Sequence, residues 1–116
     1  MRSPNWTREE LILALHLYTK HNYSDLSIAS REVMELSKTL RSLTIYPDEY
    51  KDYKFRSPNM IMMRLSKFLL LEPDYKGKLI NPGTKVENEI WNKFHSSEKK
   101  LQTEVDSILK KYGVSK

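Results

Sequence analysis

Five stretches of this chain repeat apolar residues at spacings of three and four, and each is bracketed by residues that start or stop an α-helix. Thr7-Arg8-Glu9-Glu10 is a capping box, in which the Thr7 hydroxyl accepts from the Glu10 amide and the Glu10 side chain reaches back. Trp6 precedes it, placed to staple onto Leu11, and Leu11, Ala14, Leu15 and Tyr18 then predict a helix over 8–20. Ser30 opens a second helix over 31–43, with Val33, Leu36, Leu40 and Leu43 on one face and Ser37, Lys38 and Arg41 on the other. Ser57-Pro58 opens the third, with a hydroxyl at the cap and proline where a missing N–H costs nothing. Met60, Ile61, Met63, Leu65, Phe68 and Leu69 make that helix apolar over more than half its circumference, so it is expected to be central and most buried; Pro73 stops it. Thr84-Lys85-Val86-Glu87 is a second capping box, starting a helix over 85–95 with Val86, Ile90, Trp91 and Phe94 inward. Ser96 or Ser97 starts the fifth, over 98–112, where Leu101, Val105, Ile108 and Tyr112 share a face and Gly113 supplies the stop.

Between these elements, Tyr23–Ala29 is either a loop or an extra turn, and Tyr46–Lys54 reads as a loop after Pro47. Leu79-Ile80, between Gly77 and Pro82-Gly83, allows one short extended segment near 78–80. The expectation is an all-α, compact single domain of about five helices spanning 6–112. Residues 1–5 form an N-terminal tail, and 113–116 a C-terminal tail or the start of a linker.

A chain of 116 residues suffices for one domain of this kind. Its zero cysteines remove disulfides, thiolate metal sites and thiol nucleophiles. Three histidines (His16, His21, His95) match no short metal-ligand spacing, and three glycines leave no phosphate-cradling loop. The carboxylate pairs Glu9/Glu10 and Glu87/Glu89 sit in opening helical turns, where acids complement the dipole, and His95 suits a helix C-terminus. No catalytic residue, metal site or cofactor is therefore expected, and the protein reads as a non-enzyme. No apolar run approaches the ~18 residues of a membrane span. The first residues lack the apolar core of a secretory signal, which makes the cytoplasm the default location.

The net charge of +5 is unevenly placed. Residues 1–50 balance at −1 and 86–116 at +1, while 51–85 hold eight Lys/Arg against three Asp/Glu. Lys54 and Arg56 stand immediately before a helix N-terminus, which is a favourable setting for a phosphate. Arg56 could instead pair with a loop carboxylate such as Asp52. Asn59 serves either the cap or, through its amide, a base edge. Arg64 and Lys67 continue the basic stripe, Tyr75, Lys76, Lys78 and Lys85 follow, and Tyr46, Tyr50 and Tyr53 precede it. Basic residues interleaved with aromatics suit phosphate contact and base stacking, although each aromatic equally suits loop packing.

These motifs resemble a known family. Trp6-Thr7-Arg8-Glu9-Glu10-Leu11-Ile12-Leu13-Ala14-Leu15 looks like the opening of the N-terminal domain of McrA-like, modification-dependent (type IV) HNH restriction endonucleases. Phe55-Arg56-Ser57-Pro58-Asn59 resembles that family's F-R-N-P-N-G, and Arg64-Leu65 with Phe68 its K-L-x-N-F. Glu72-Pro73-Asp74-Tyr75-Lys76-Gly77 resembles D-P-x-Y-x-G, and Gly83-Thr84-Lys85 with Trp91 and Phe94 resembles G-x-K-x-x-x-x-V-W-x-x-F. The likeness runs over residues 6–94, with Ser57 and Met60 departing from the family's Asn and Gly.

The resemblance implies a recognition domain for double-stranded, possibly modified DNA, placed ahead of a C-terminal HNH nuclease module and serving phage defence. The expected DNA-binding residues are Lys54, Arg56, Asn59, Arg64, Lys67, Tyr75, Lys76, Lys78 and Lys85. The alternative is a protein–protein adaptor that docks a nuclease or another defence component through an apolar helical face. RNA or single-strand binding is a third possibility, tied to exposed tyrosines. The oligomeric state is left open.

Overall fold

The computed structural model describes residues 5–43, 45–72 and 85–114. The described residues form five helices of an all-α single domain: α1 (Arg8–Lys20), α2 (Arg31–Ser42), α3 (Pro58–Leu69), α4 (Lys85–Phe94) and α5 (Glu98–Lys111). Short 3₁₀ turns at Tyr23–Asp25 and Asp48–Tyr50 punctuate the loops, and no strand occurs among the described residues. The extended segment expected near 78–80 lies outside the described residues. None of the described helices is long and apolar enough to cross a membrane.

The central helix is α1, not α3. Glu10 to Leu15 are all buried, and α1 packs against α2, α3, α4 and α5. Reading one stripe of apolar residues understates it, because Ile12 and Leu13 complete the circumference and are buried too. In α3 only Ile61, Leu65 and Phe68 are buried, while Met63 is 59% exposed. An unbranched methionine reads as core by type, yet here it sits on the outward side. Phe68 and Trp91 stack at 6.3 Å, and Tyr18 packs against both rings, tying α1, α3 and α4 together.

The helix ends follow the signals, with informative exceptions. Thr7 caps α1 in the expected box, its hydroxyl accepting from Glu10 N while Glu10 Oε1 accepts from Thr7 N. At Ser30 the hydroxyl instead accepts from Ser27 N at 2.8 Å, stabilising the preceding turn rather than α2. Ser57 caps α3 by accepting from Met60 N. That helix ends at Leu69, before Pro73, through i→i−3 bonds from Leu71 to Phe68 and Glu72 to Leu69. A residue before proline disfavours the α region, so the last turn tightens before it stops. Gly113 ends α5 at φ 68: its N–H donates to the Lys110 carbonyl, and Val114 N–H donates to that of Leu109. This is a Schellman closure, with Val114 packed on the core, so both residues finish α5 instead of forming a tail.

Candidate nucleic-acid interface

Four residues of the sequence motifs, Trp6, Glu10, Arg56 and Arg64, converge beneath the surface. Arg56 lies at φ 47, a left-handed conformation that costs a non-glycine residue on the order of 1–3 kcal/mol. Its side chain is 2% exposed and forms a two-pronged ion pair with Glu10: Nε to Oε2 at 2.6 Å and Nη2 to Oε1 at 3.0 Å. Glu10 itself is 1% exposed. The guanidinium also lies 4.9 Å from the Trp6 ring centroid, 5.5 Å from Tyr46 and 4.5 Å from Phe55. The Tyr46 hydroxyl donates to the Asn5 carbonyl at 2.8 Å and sits 3.3 Å from Glu10 Oε1. Burial, then the Glu10 carboxylate, push that phenol above its ordinary value and keep it a neutral donor.

A second ion pair sits beside the first. Arg64 Nη1 donates to Glu87 Oε1 at 2.8 Å, and Glu87 is 0% exposed. The Arg64 guanidinium is 5.1 Å from the same Trp6 ring, so Trp6 bears on both arginines. One indole and two buried carboxylates thus join the start of α1, the turn before α3, the body of α3 and the start of α4. Glu87 pairs with Arg64, and Thr84, its expected partner in a capping box, lies outside the described residues.

Arg56 pairs with Glu10, 46 residues away, rather than with Asp52, whose Oδ1 accepts from Lys54 N and Phe55 N. Moving a guanidinium from a buried carboxylate to a solvated phosphate would leave Glu10 charged and uncompensated, a loss of several kcal/mol. Arg64 is committed in the same way, although its side chain keeps 20% exposure.

The other expected residues lie on the outside. Asn59, Met63 and Lys67 follow one another at i, i+4 and i+8 along the outer face of α3, with Asn59 and Met63 exposed and Lys67 half-exposed. Lys54 is exposed on the loop before α3, its ammonium 5.5 Å from the Tyr53 ring. Lys85 is exposed at the start of α4, with Glu89 at 4.0 Å, a contact that holds it weakly. Tyr75, Lys76 and Lys78 lie outside the described residues.

The loop between Lys51 and Phe55 is held by a side chain from α2. Arg41, on the face of α2 opposite its apolar residues by sequence, clamps it: Nη1 donates to the carbonyls of Asp52 and Phe55 at 2.7 Å each, and Nη2 to that of Lys51 at 3.1 Å. Lys51 Nζ donates to the Leu43 carbonyl, and Phe55 is fully buried. On this anchored loop Tyr53 stands 82% exposed, whereas Tyr46 and Tyr50 are half-buried, their rings 6.5 Å apart. The only advance signal for the clamp was an arginine at the end of a helix, where its donors meet carbonyls. Among the described residues no cluster of His, Asp and Glu could hold a metal ion. Compared with protein-family models, with curated proteins and with solved structures, the chain finds no match.

Proposed function

We propose that this domain is a non-catalytic module that binds duplex DNA through the outer face of α3 and the loop before it, and that it serves an HNH-type restriction nuclease. The observation that carries the reading is the combination of an anchored loop bearing Tyr53 and Lys54 with a helix face bearing Asn59, Met63 and Lys67. Lys54 and Lys67 supply phosphate contacts, and Lys85 supplies a third. Asn59 offers an amide able to pair bidentately with adenine, and Met63 an apolar group for a base edge or methyl. Recognition of modified DNA rests on the sequence resemblance. Arg56 and Arg64 support the site from beneath, through Glu10 and Glu87.

Binding of the full chain to plain, methylated, hydroxymethylated and phosphorothioated duplexes, at two salt concentrations, tests this. Each neutralised phosphate contributes about 0.9 to the slope of log K against log salt. Lys54→Ala and Lys67→Ala should each flatten the slope by roughly that amount. Absence of binding to all four duplexes would refute the reading. A second reading, an adaptor docking a nuclease or other defence component, has one observation in its favour. A groove of about 680 Å³ runs between α1, α2 and α5, with Leu13, Leu17, Leu36, Val105 and Leu109 in its lining.

A further inference from the structure

A separate pocket of about 510 Å³ opens where three helices end, lined by Tyr18 and Thr19 of α1, Leu69 and Glu72 at the end of α3, and Trp91 and His95 of α4. The turn after α1 closes it with His21, Asn22, Tyr23 and Ser24. Its chemistry is opposite to that of a protein with net charge +5. No lysine or arginine occurs among the described residues that line it, and Glu72 brings a carboxylate. Helix C-termini carry partial negative charge, and the last turns of α1, α3 and α4 all meet here.

Two further details give the pocket its acceptors. His95 stacks on Trp91, ring centroids 4.6 Å apart and planes within 3°, while its Nδ1 contacts the Trp91 carbonyl at 2.5 Å. A carbonyl can only accept, so Nδ1 bears the proton, and in the neutral form of the ring Nε2 is an acceptor. Burial, then the Glu72 carboxylate and Tyr23, push the Tyr18 phenol up to about 12. Glu72, Tyr18 and Tyr23 share the lining of the pocket. The Glu72 carboxylate, the His95 imidazole and the hydroxyls of Tyr18, Thr19, Tyr23 and Ser24 belong to residues of the lining, a set of acceptors that suits a cation with N–H donors.

We infer that this pocket binds a primary alkylammonium group, whether at the end of a free polyamine or of a lysine side chain. The site is independent of the DNA-binding face: none of Lys54, Asn59, Met63 or Lys67 lines it.

The test is an NMR titration of the full chain at pH 8 and constant ionic strength, following the Trp91 indole and His95 ring signals. The probes are spermidine, blocked lysine (Nα-acetyl-lysine methylamide), tetramethylammonium and butyrate. Spermidine and blocked lysine should shift both signals saturably, and the tighter of the two identifies the source of the group. Tetramethylammonium, which has charge but no N–H donor, should bind at least about tenfold more weakly, and butyrate should not bind. Glu72→Gln should weaken the alkylammonium probes by about tenfold or more. His95→Phe, which keeps the stack and removes the acceptor, should weaken them also and serves if the first variant fails to fold. The inference is overturned if neither ammonium probe gives a saturable shift. It is equally overturned if tetramethylammonium matches them, or if a folded Glu72→Gln or His95→Phe variant binds them as the parent does.

Discussion

Replacing Arg56 separates a structural role from a DNA contact, because the two roles predict different observables. In Arg56→Ala the Glu10 carboxylate stays 1% exposed and loses both of its guanidinium bonds, at 2.6 and 3.0 Å. Removing one partner of such a pair costs about 3–5 kcal/mol, since the remaining charge is buried without compensation. A domain of this size changes its midpoint by roughly 4 °C per kcal/mol, so the melting temperature should fall by about 12–20 °C. Relief of the positive φ does not offset this, because alanine is strained there as well. Glu10→Gln keeps an oxygen for the Thr7 amide but removes the charge, and Arg56→Met keeps apolar bulk against Trp6, Tyr46 and Phe55. Combined, the two should be less destabilising than the sum of the singles, with a coupling of about 2 kcal/mol or more. Urea unfolding followed by circular dichroism measures the parent and the four variants. If Arg56→Ala unfolds within about 1 kcal/mol of the parent and its DNA affinity falls, the ion-pair argument fails and the arginine is a phosphate ligand.

Other consequences can be checked alongside. Tyr53→Ala should leave stability within about 0.5 kcal/mol, given 82% exposure, while weakening DNA binding; a large loss of stability would contradict the loop geometry. Arg41→Ala removes three carbonyl contacts and should raise amide exchange across residues 51–55 before it affects any other part of the domain. Phe68→Ala should cost about 3–5 kcal/mol, because the ring is fully buried between Tyr18 and Trp91. At the α1–α5 contact, burial opposes ionisation of Glu9, but the Tyr112 hydroxyl at 2.6 Å and Lys111 at 3.0 Å outweigh it and hold the carboxyl below 4.5. A depressed folded-state value means that this stabilisation is present above pH 4.5 and is lost as the pH falls through the folded value. Tyr112→Phe should bring Glu9 back toward 4.5 and flatten the acid limb of stability, as measured by unfolding between about pH 3 and pH 6.

The sequence by itself determined the helices, because their signals are local. A capping hydroxyl, a proline in the first turn, a closing glycine and a repeat of three or four act within a few residues, and the observed bounds of α1, α4 and α5 fall within a residue of those expected. Burial is not local in that sense. Alternation of apolar residues identified an inward face for α3, but only packing made α1 the helix enclosed on all sides, leaving Met63 in solvent. The fate of each charge was also beyond local reading. Glu10 and Arg56 are 46 residues apart and Arg64 and Glu87 are 23 apart, and the preference of an arginine for a carboxylate says nothing about which one the fold delivers. The segment 51–85 therefore concentrated basic charge in the sequence, whereas tertiary structure divided the described part of it: two arginines went inside, where a buried acid must be matched, and Lys54 and Lys85 stayed at the surface, where hydration of the ammonium holds them.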